Sequence, residues 1–378
     1  MRKICVVVAS RANYGRVKYL MRAIQAHQEL ELQVIVGAST LLERFGKAIN
    51  VIKADGFTPL RSIHYVIEGE TLSTQAKSTG LGIVELSSAF EDLRPDMVVT
   101  IADRFETMAT AIAATYLNIP LVHLQGGEVS GNIDDRVRHA ITKLGDLHFV
   151  ASELSAKRVV SMGENPRYVF NYGCPAMDIL ANEDLSISNE QMSRYLGVGK
   201  PIDWTKPYVL MIQHPVTTSY GHGFDEVSQT LHALKSIPEV QKIVMWPNVD
   251  AGSDDVSKGI RHFRELNMNE PIYYYKNFSP EDYARVLNNS ICCVGNSSSF
   301  IREAAYLGVP SVIVGDRQEG REHARNVVFA DYDHEHIGAQ LHAQIDHGRY
   351  EANYLFGRGD AGIQIAAELA TTDFKHGG

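Results

Sequence analysis

Ile291-Cys292-Cys293-Val294-Gly295-Asn296-Ser297-Ser298-Ser299 decides the fold. An apolar, β-forming run passes straight into a glycine, an amide and three hydroxyls, and residues 300–307 then carry helical periodicity. A strand that is apolar without alternation is buried on both faces, which is the condition of a parallel sheet covered by helices. The loop sets backbone N–H groups and small hydroxyls at the start of a helix, where the dipole favours an anion. Gly295 lets such an anion approach the backbone closely. A plain helix cap needs one serine, so three in a row point to a phosphate. The loop is neither Gly-x-x-x-x-Gly-Lys nor Gly-x-Gly-x-x-Gly.

The same alternation extends in both directions. Apolar strand runs occur at 4–9, 32–36, 97–102, 120–124, 147–151 and 168–171, with helical stretches at 14–26, 104–117, 133–144 and 152–162. Between 182 and 206 the chain turns polar, with Gly197, Gly199 and Pro201 and only one modest helix. Strands then resume at 208–212, 242–246, 272–275, 291–294 and 310–314. Ser279-Pro280-Glu281-Asp282 is a strong helix start, with a capping hydroxyl, proline in the first turn and acids beside the dipole. The pattern predicts an α/β chain of two Rossmann-like, doubly wound domains, 1–180 and 181–359. A helix at about 360–378 is expected to pack back on the first domain.

The 378 residues suffice for two cores. A formal charge of −9 gives no electrostatic reason to bind nucleic acid or an anionic membrane. No apolar run reaches the ~20 residues of a membrane span, and the N-terminus does not read as a signal peptide. Cys5, Cys174, Cys292 and Cys293 form no Cys-x-x-Cys and read as reduced, buried side chains of a cytoplasmic protein. His262, His334 and His336 lack a plausible set of further ligands, so no metal is expected.

In doubly wound domains ligands bind beyond the carboxyl ends of the strands. His214 follows the strand at 208–212, and Pro215 holds it extended. Such a histidine can donate to a phosphate or act as acid or base. Asn248 follows the next strand, and Arg317 follows 310–314. In the first half, Arg11, Asp103-Arg104 and Gln125-Gly126-Gly127-Glu128 end three strands, and Asp134-Asp135-Arg136-Val137-Arg138 opens a helix. Asp103, Glu128 and Asp134 can supply paired carboxylates for proton abstraction and donation. Asp134-Asp135 also suits a plain helix start, and His123 a packed core.

Together these motifs resemble the hydrolysing UDP-N-acetylglucosamine 2-epimerases of sialic acid synthesis and their bacterial relatives acting on 2,4-diacetamido sugars. The resemblance runs in order from Ser10-Arg11-Ala12 through Ala102-Asp103-Arg104-Phe105, Gly126-Gly127-Glu128, Arg138-His139-Ala140-Ile141-Thr142-Lys143-Leu144, Gly173-Cys174-Pro175, His214-Pro215-Val216 and Gly295-Asn296-Ser297-Ser298 to Arg317. It implies a GT-B fold with the active site in the cleft between two Rossmann-like domains. It implies that Arg11, Arg104, His214, Asn248, Gly295, Asn296, Ser297, Ser298, Glu303 and Arg317 hold UDP, with Glu303 on the ribose hydroxyls. It gives Asp103, Gln125, Glu128, Asp134, Arg138 and His214 as the catalytic set.

The implied reaction converts UDP-N-acetylglucosamine to UDP and N-acetylmannosamine through a glycal, with no cofactor and no metal, in a homodimer or homotetramer. The alternatives are the same reaction on UDP-N,N'-diacetylbacillosamine, a non-hydrolysing epimerase, a GT-B glycosyltransferase and a non-catalytic UDP-sugar sensor. One position departs from the family. Gln125 stands where a glutamate is frequent, and an amide cannot exchange a proton near neutral pH. The resemblance therefore leaves the proton to Glu128 or an aspartate, or gives Gln125 the task of pairing with an amide at C4 of the sugar.

Overall fold

In a computed structural model the chain forms two compact units, and residues 1–69, 71–130, 133–216, 220–247 and 252–373 are described. The first unit comprises Met1–Glu128, Ile133–Asn182 and the stretch returning from Phe356; the second is Glu183–Leu355 with Val129 and Ser130.

The first unit runs β1 (Arg2–Val8), α1 (Arg11–Ala26), β2 (Leu30–Gly37), α2 (Ile49–Ala54), β3 (Arg61–Ile63), α3 (Leu72–Leu93), β4 (Met97–Ile101), α4 (Phe105–Tyr116) and β5 (Leu121–Leu124). It continues with α5 (Ile133–Leu144), β6 (Leu147–Val150), α6 (Glu153–Ser161), β7 (Val169–Asn171) and α7 (Ala176–Asn182). The sheet is parallel throughout, in the order β3-β2-β1-β4-β5-β6-β7.

β1 shows why its run is continuously apolar. Ile4, Val6 and Val8 enter one core with α1, whereas Cys5, Val7 and Ala9 enter the opposite core with α3 and α4. On the second face the helices lie close because the contacts are small. A Cβ on Gly82 of α3 would stand 3.0 Å from the Ala109 Cβ of α4.

The second unit runs α8 (Asn189–Met192), β8 (Val198–Gly199), β9 (Tyr208–Ile212), α9 (Gly223–Ala233), β10 (Gln241–Met245), α10 (Ser253–Leu266), β11 (Ile272–Tyr275) and α11 (Pro280–Asn289). It closes with β12 (Cys292–Gly295), α12 (Glu303–Leu307), β13 (Ser311–Val314), β14 (Val327–Ala330) and α13 (His334–His347). Its sheet order is β14-β13-β12-β9-β10-β11-β8, parallel except for the β8 edge. Val209 and Met211 pack with Val227, Leu231, Ile260 and Phe263 of α9 and α10 and with Ile337 and Leu341 of α13.

The stretch expected to be one helix at 300–307 is divided. Ser298–Phe300 is a single 3₁₀ turn, and α12 holds only five residues. The loop therefore lacks the long, aligned helix from which the macrodipole argument drew its strength. Its anion chemistry has to come from side chains and from the turn itself.

The last helix, α14 (Ala361–Thr371), belongs to the first unit and packs on α1. Ile365 and Leu369 are fully buried, and such burial is worth about 2 kcal/mol for each side chain. Its first turn is held by Asp178 of α7, whose carboxylate accepts from the amides of Ala361 at 3.0 Å and Gly362 at 2.7 Å. Asp178→Ala strands both buried amides and is expected to destabilise the protein by about 2–4 kcal/mol. Chemical denaturation checks this; a loss below about 0.5 kcal/mol would show that the carboxylate is not the anchor.

Candidate functional site

In the first sheet the chain winds outward from β1 through β2 and β3, then crosses to β4 and winds the other way. The crevice between β1 and β4 is thus the switch point where such a sheet binds ligands. Ser10 and Arg11 leave β1 there, with the Ser10 hydroxyl capping α1 by accepting from the Asn13 amide. Asp103 and Arg104 leave β4, and Gln125 leaves β5.

Ala102 and Gln125 both adopt left-handed backbone, at φ 66° and 62°. Neither is glycine, and such conformations persist only where the surroundings enforce them, most often at functional sites. Gly127 is also left-handed, and a Cβ on it would lie 2.4 Å from the Ser155 carbonyl. Only glycine fits that turn.

Arg138 of α5 is the hub. It is 1% exposed, donates to the Asp103 carboxylate, to Asp135 Oδ1 at 2.6 Å and to the Glu128 carbonyl at 2.7 Å. Burial works against its charge, but Asp103, Glu128 and Asp135 together hold it protonated more firmly than an ordinary arginine. Arg158 of α6 donates to the neighbouring Gly127 carbonyl, so two guanidinium groups grip consecutive peptides of the loop.

Arg104 Nε donates to Glu106 at 3.0 Å. Glu128 is buried, whereas Asp134 is half-buried in the first turn of α5 and Arg11 in that of α1. Gln125 is 1% exposed; its Oε1 accepts from Arg16 Nη1 at 3.3 Å and its amide nitrogen donates to Cys174 Sγ. His123 is sealed beneath, Nε2 donating to the Ala102 carbonyl at 3.0 Å. Burial lowers its pKa to about 3, so it stays neutral.

In the second sheet the switch point lies between β9 and β12. Gly295 is required there, since a Cβ on it would stand 2.0 Å from the Ile212 carbonyl of β9. Asn296 is fully buried and ties the two strand ends together. Its Oδ1 accepts from the His214 amide at 2.7 Å, and its Nδ2 donates to the His214 carbonyl at 2.8 Å. The Asn296 carbonyl accepts from Arg317 Nη1 at 3.2 Å and Gln318 Nε2 at 2.9 Å. The ends of β9, β12 and β13 therefore meet at one residue.

Ser297 and Ser299 share a hydrogen bond at 2.9 Å, and Tyr283 of α11 pairs with Ser299. Arg302, 2% exposed, donates to the Ser298 hydroxyl at 3.3 Å. Glu303 Oε2 is enclosed and has no hydrogen-bond partner among the described residues, a state that a ligand hydroxyl would relieve.

The structure thus groups Asp103, Gln125, Glu128 and Arg138 at one switch point, with Arg11 and Asp134 opening the adjoining helices. It groups His214, Gly295, Asn296, Ser297, Ser298 and Arg317 at the other, with Glu303 opening α12. Asn248 lies outside the described residues. Sequence reasoning passed over Arg16, Arg158, Arg302 and Gln318. Arg302 was detectable, because it stands four residues after Ser298; the others become neighbours only through the sheet order. All four cysteines are free and buried. Among the described residues no cluster of three or more His, Cys, Asp or Glu is placed to hold a metal ion, and no helix is long and apolar enough to cross a membrane.

Comparison with known proteins bears on what these two groups do. A family model described as UDP-N-acetylglucosamine 2-epimerase matches residues 22–370. The hydrolysing UDP-N,N'-diacetylbacillosamine 2-epimerase of Legionella pneumophila is 33% identical over 362 residues, covering 95% of this chain and 93% of the relative. The hydrolysing GDP/UDP-N,N'-diacetylbacillosamine 2-epimerase of Campylobacter jejuni is 31% identical over 331 residues, 87% of this chain and 84% of the relative. The crystal structure of the UDP-GlcNAc 2-epimerase of Neisseria meningitidis superposes with a TM-score of 0.80 at 18% identity, covering 98% of this chain and 100% of that one. That likeness establishes a GT-B-like fold.

Two outcomes test the geometry. Asn296→Ala removes the bonds to the buried His214 amide and carbonyl and is expected to cost about 2–4 kcal/mol of stability; unfolding in urea measures it. His123 binds no proton in the folded state until the pH approaches about 3, whereas the unfolded chain takes one up near the ordinary 6.5. Stability therefore falls as the pH drops below 6.5, down to about 3. His123→Gln flattens that slope, and a slope unchanged by the substitution would refute the assignment.

Proposed function

The chain belongs to the UDP-N-acetylglucosamine 2-epimerase family, and from that premise we propose that it hydrolyses a UDP-linked 2-acetamido sugar with inversion at C2. The observation that carries the reading is the pair of switch-point clusters, one furnished with carboxylates and the other with hydroxyls, His214 and arginines. The enzyme is of the hydrolysing UDP-sugar 2-epimerase kind, as its relatives are named.

In the proposed reaction the C2 proton leaves to a base, the C1–O bond breaks and the electron pair departs with UDP, leaving a C1–C2 double bond. Water then adds its oxygen to C1, and a proton returns to C2 from the opposite face. Asp103, Glu128 and Asp134 are the proposed proton carriers, since a positioned carboxylate can accept and return a proton. Charge on the departing diphosphate calls for fixed donors. His214, Ser297, Ser298, Arg302 and Arg317 furnish them, and the unsatisfied Glu303 oxygen suits a ribose hydroxyl.

Of the two candidate sugars, UDP-N,N'-diacetylbacillosamine is favoured over UDP-N-acetylglucosamine. The relatives at 33% and 31% identity are named for the 2,4-diacetamido sugar. The Neisseria meningitidis relative named for UDP-N-acetylglucosamine is 29% identical over 360 residues. A product of this kind feeds a nonulosonic acid pathway.

The test is incubation of the pure enzyme with each UDP-sugar, without acceptor, in deuterated water, followed by NMR. The expected products are UDP and a free 2-epimer carrying deuterium at C2, formed faster from the diacetamido substrate. A 2-epimer still attached to UDP would indicate the non-hydrolysing reaction, and release that requires an added acceptor would indicate a glycosyltransferase.

A further inference from the structure

Three serines follow Asn296, and the third is turned to a different task from the first. The Ser299 hydroxyl meets the Ser297 hydroxyl at 2.9 Å on one side and the Tyr283 hydroxyl on the other. The Ser299 amide also donates to Ser297 Oγ, at 3.4 Å. Ser297 and Ser299 are both buried. Three hydroxyls thus form a chain that runs from α11 into the loop.

The two ends of this chain differ in how firmly they are held. Tyr283 stands in the first turn of α11, where its amide donates to the Ser279 carbonyl at 2.8 Å. Pro280 opens that turn. Asp282, fully buried, accepts from the Ser279 hydroxyl at 3.1 Å, from Arg285 at 2.9 Å, and from Arg194 and Tyr195. Ser299 lies on a single 3₁₀ turn that Ser297 caps. A serine hydroxyl rotates to suit its partners, so the anchored phenol is what fixes the two serines.

Three hydroxyls carry three protons, and the two links of the chain use two of them. An anion beside Ser297 claims the third. Ser297 then donates to the anion, Ser299 donates to Ser297 and Tyr283 donates to Ser299. Bonds aligned in this way polarise and strengthen one another.

We infer that Tyr283 is a positioning residue of the nucleotide site, which orients and polarises the Ser297 hydroxyl toward the bound diphosphate through Ser299. That the anion is the diphosphate of a nucleotide rests on the functional reading above; the hydroxyl chain itself does not. Tyr283 acts only through the serines and touches no ligand atom in this role.

A double-mutant cycle on the full-length protein tests this, using Y283F, S297A and the double variant. Affinities are measured for UDP, inorganic pyrophosphate and uridine, by calorimetry or NMR titration. Y283F is expected to weaken UDP and pyrophosphate about fivefold, the worth of one hydrogen bond, and to leave uridine unchanged. The double variant should be no weaker than S297A alone, since the phenol has no other route to the ligand. Wild-type affinity for UDP in Y283F would overturn the inference, as would additive losses. An equal loss for uridine would overturn it too, because it would show that the phenol supports the loop as a whole.

If Y283F does not fold, S299A cuts the same chain at its middle and should give the same fivefold loss; unchanged affinity there removes the role given to Tyr283. If the wild-type protein binds pyrophosphate but not UDP, the functional reading fails by itself, and the cycle on pyrophosphate still decides the hydroxyl chain. Binding of neither removes both.

Discussion

Arg138 is a buried cation that cannot shed its proton, and the first unit is arranged around that fact. A guanidinium removed from water costs several kcal/mol unless its donors and its charge are matched. Here Asp103, Asp135 and the Glu128 carbonyl do the matching. Each comes from a different place in the chain: the end of β4, the first turn of α5 and the loop after β5. One charge therefore fixes three elements relative to one another. The strained backbone at Ala102 and Gln125 lies directly beside two of these attachment points. A left-handed non-glycine residue costs of order 1–3 kcal/mol and survives where neighbours over-determine it. Arg138 and Arg158 supply that over-determination from two helices.

The second unit ties its strand ends with a neutral side chain. Asn296 is neutral, and it joins β9 to β12 through the two backbone groups of His214. A carboxamide suits this place because it offers an acceptor and a donor at once, matching an amide and a carbonyl of the same residue. An aspartate would face the His214 carbonyl with a second acceptor. Arg302 bonds to the Ser298 hydroxyl and Arg317 to the Asn296 carbonyl. The loop Gly295–Ser299 thus acts through side chains and close backbone packing, since the helix behind it is one short turn and then five residues.

The parallel strands were legible because burial on both faces leaves an unmistakable apolar run, as in β1 and β12. Strand-end polar residues were legible for the complementary reason: Asp103, Gln125, His214 and Arg317 interrupt such runs abruptly. α3 was not legible. It contains Ser, Thr and two glycines through much of its length, and what makes it a helix is a Thr71–Thr74 capping box and its close seat on α4. β8 was missed because two residues, one of them Gly199, pair only by drawing close to β11; a Cβ on that glycine would lie 2.4 Å from the Ile272 carbonyl. The expected helix at 300–307 failed differently. Its periodicity was real, but the chain breaks after Phe300 and resumes at Glu303, and no local propensity marks that break. Arg16 reaching Gln125 was invisible because nothing in the sequence states that β4 lies between them.

These particulars narrow where the proposed proton chemistry falls. His123 is locked neutral by burial, and Arg138 is locked positive by its partners. Gln125 and Asn296 carry no exchangeable charge, and serine hydroxyls hold their protons far above neutral pH. Among the strand-end residues considered, the groups left to carry a proton in the proposed reaction are the carboxylates of the first unit and His214 of the second. Asp103 is paired with the permanent cation of Arg138. Returning a proton to the opposite face of C2 needs a different group in a different electrostatic setting. In the proposed reaction Asp134, half-buried one turn before Arg138 on the same helix, and the buried Glu128 are the remaining carboxylates for that step.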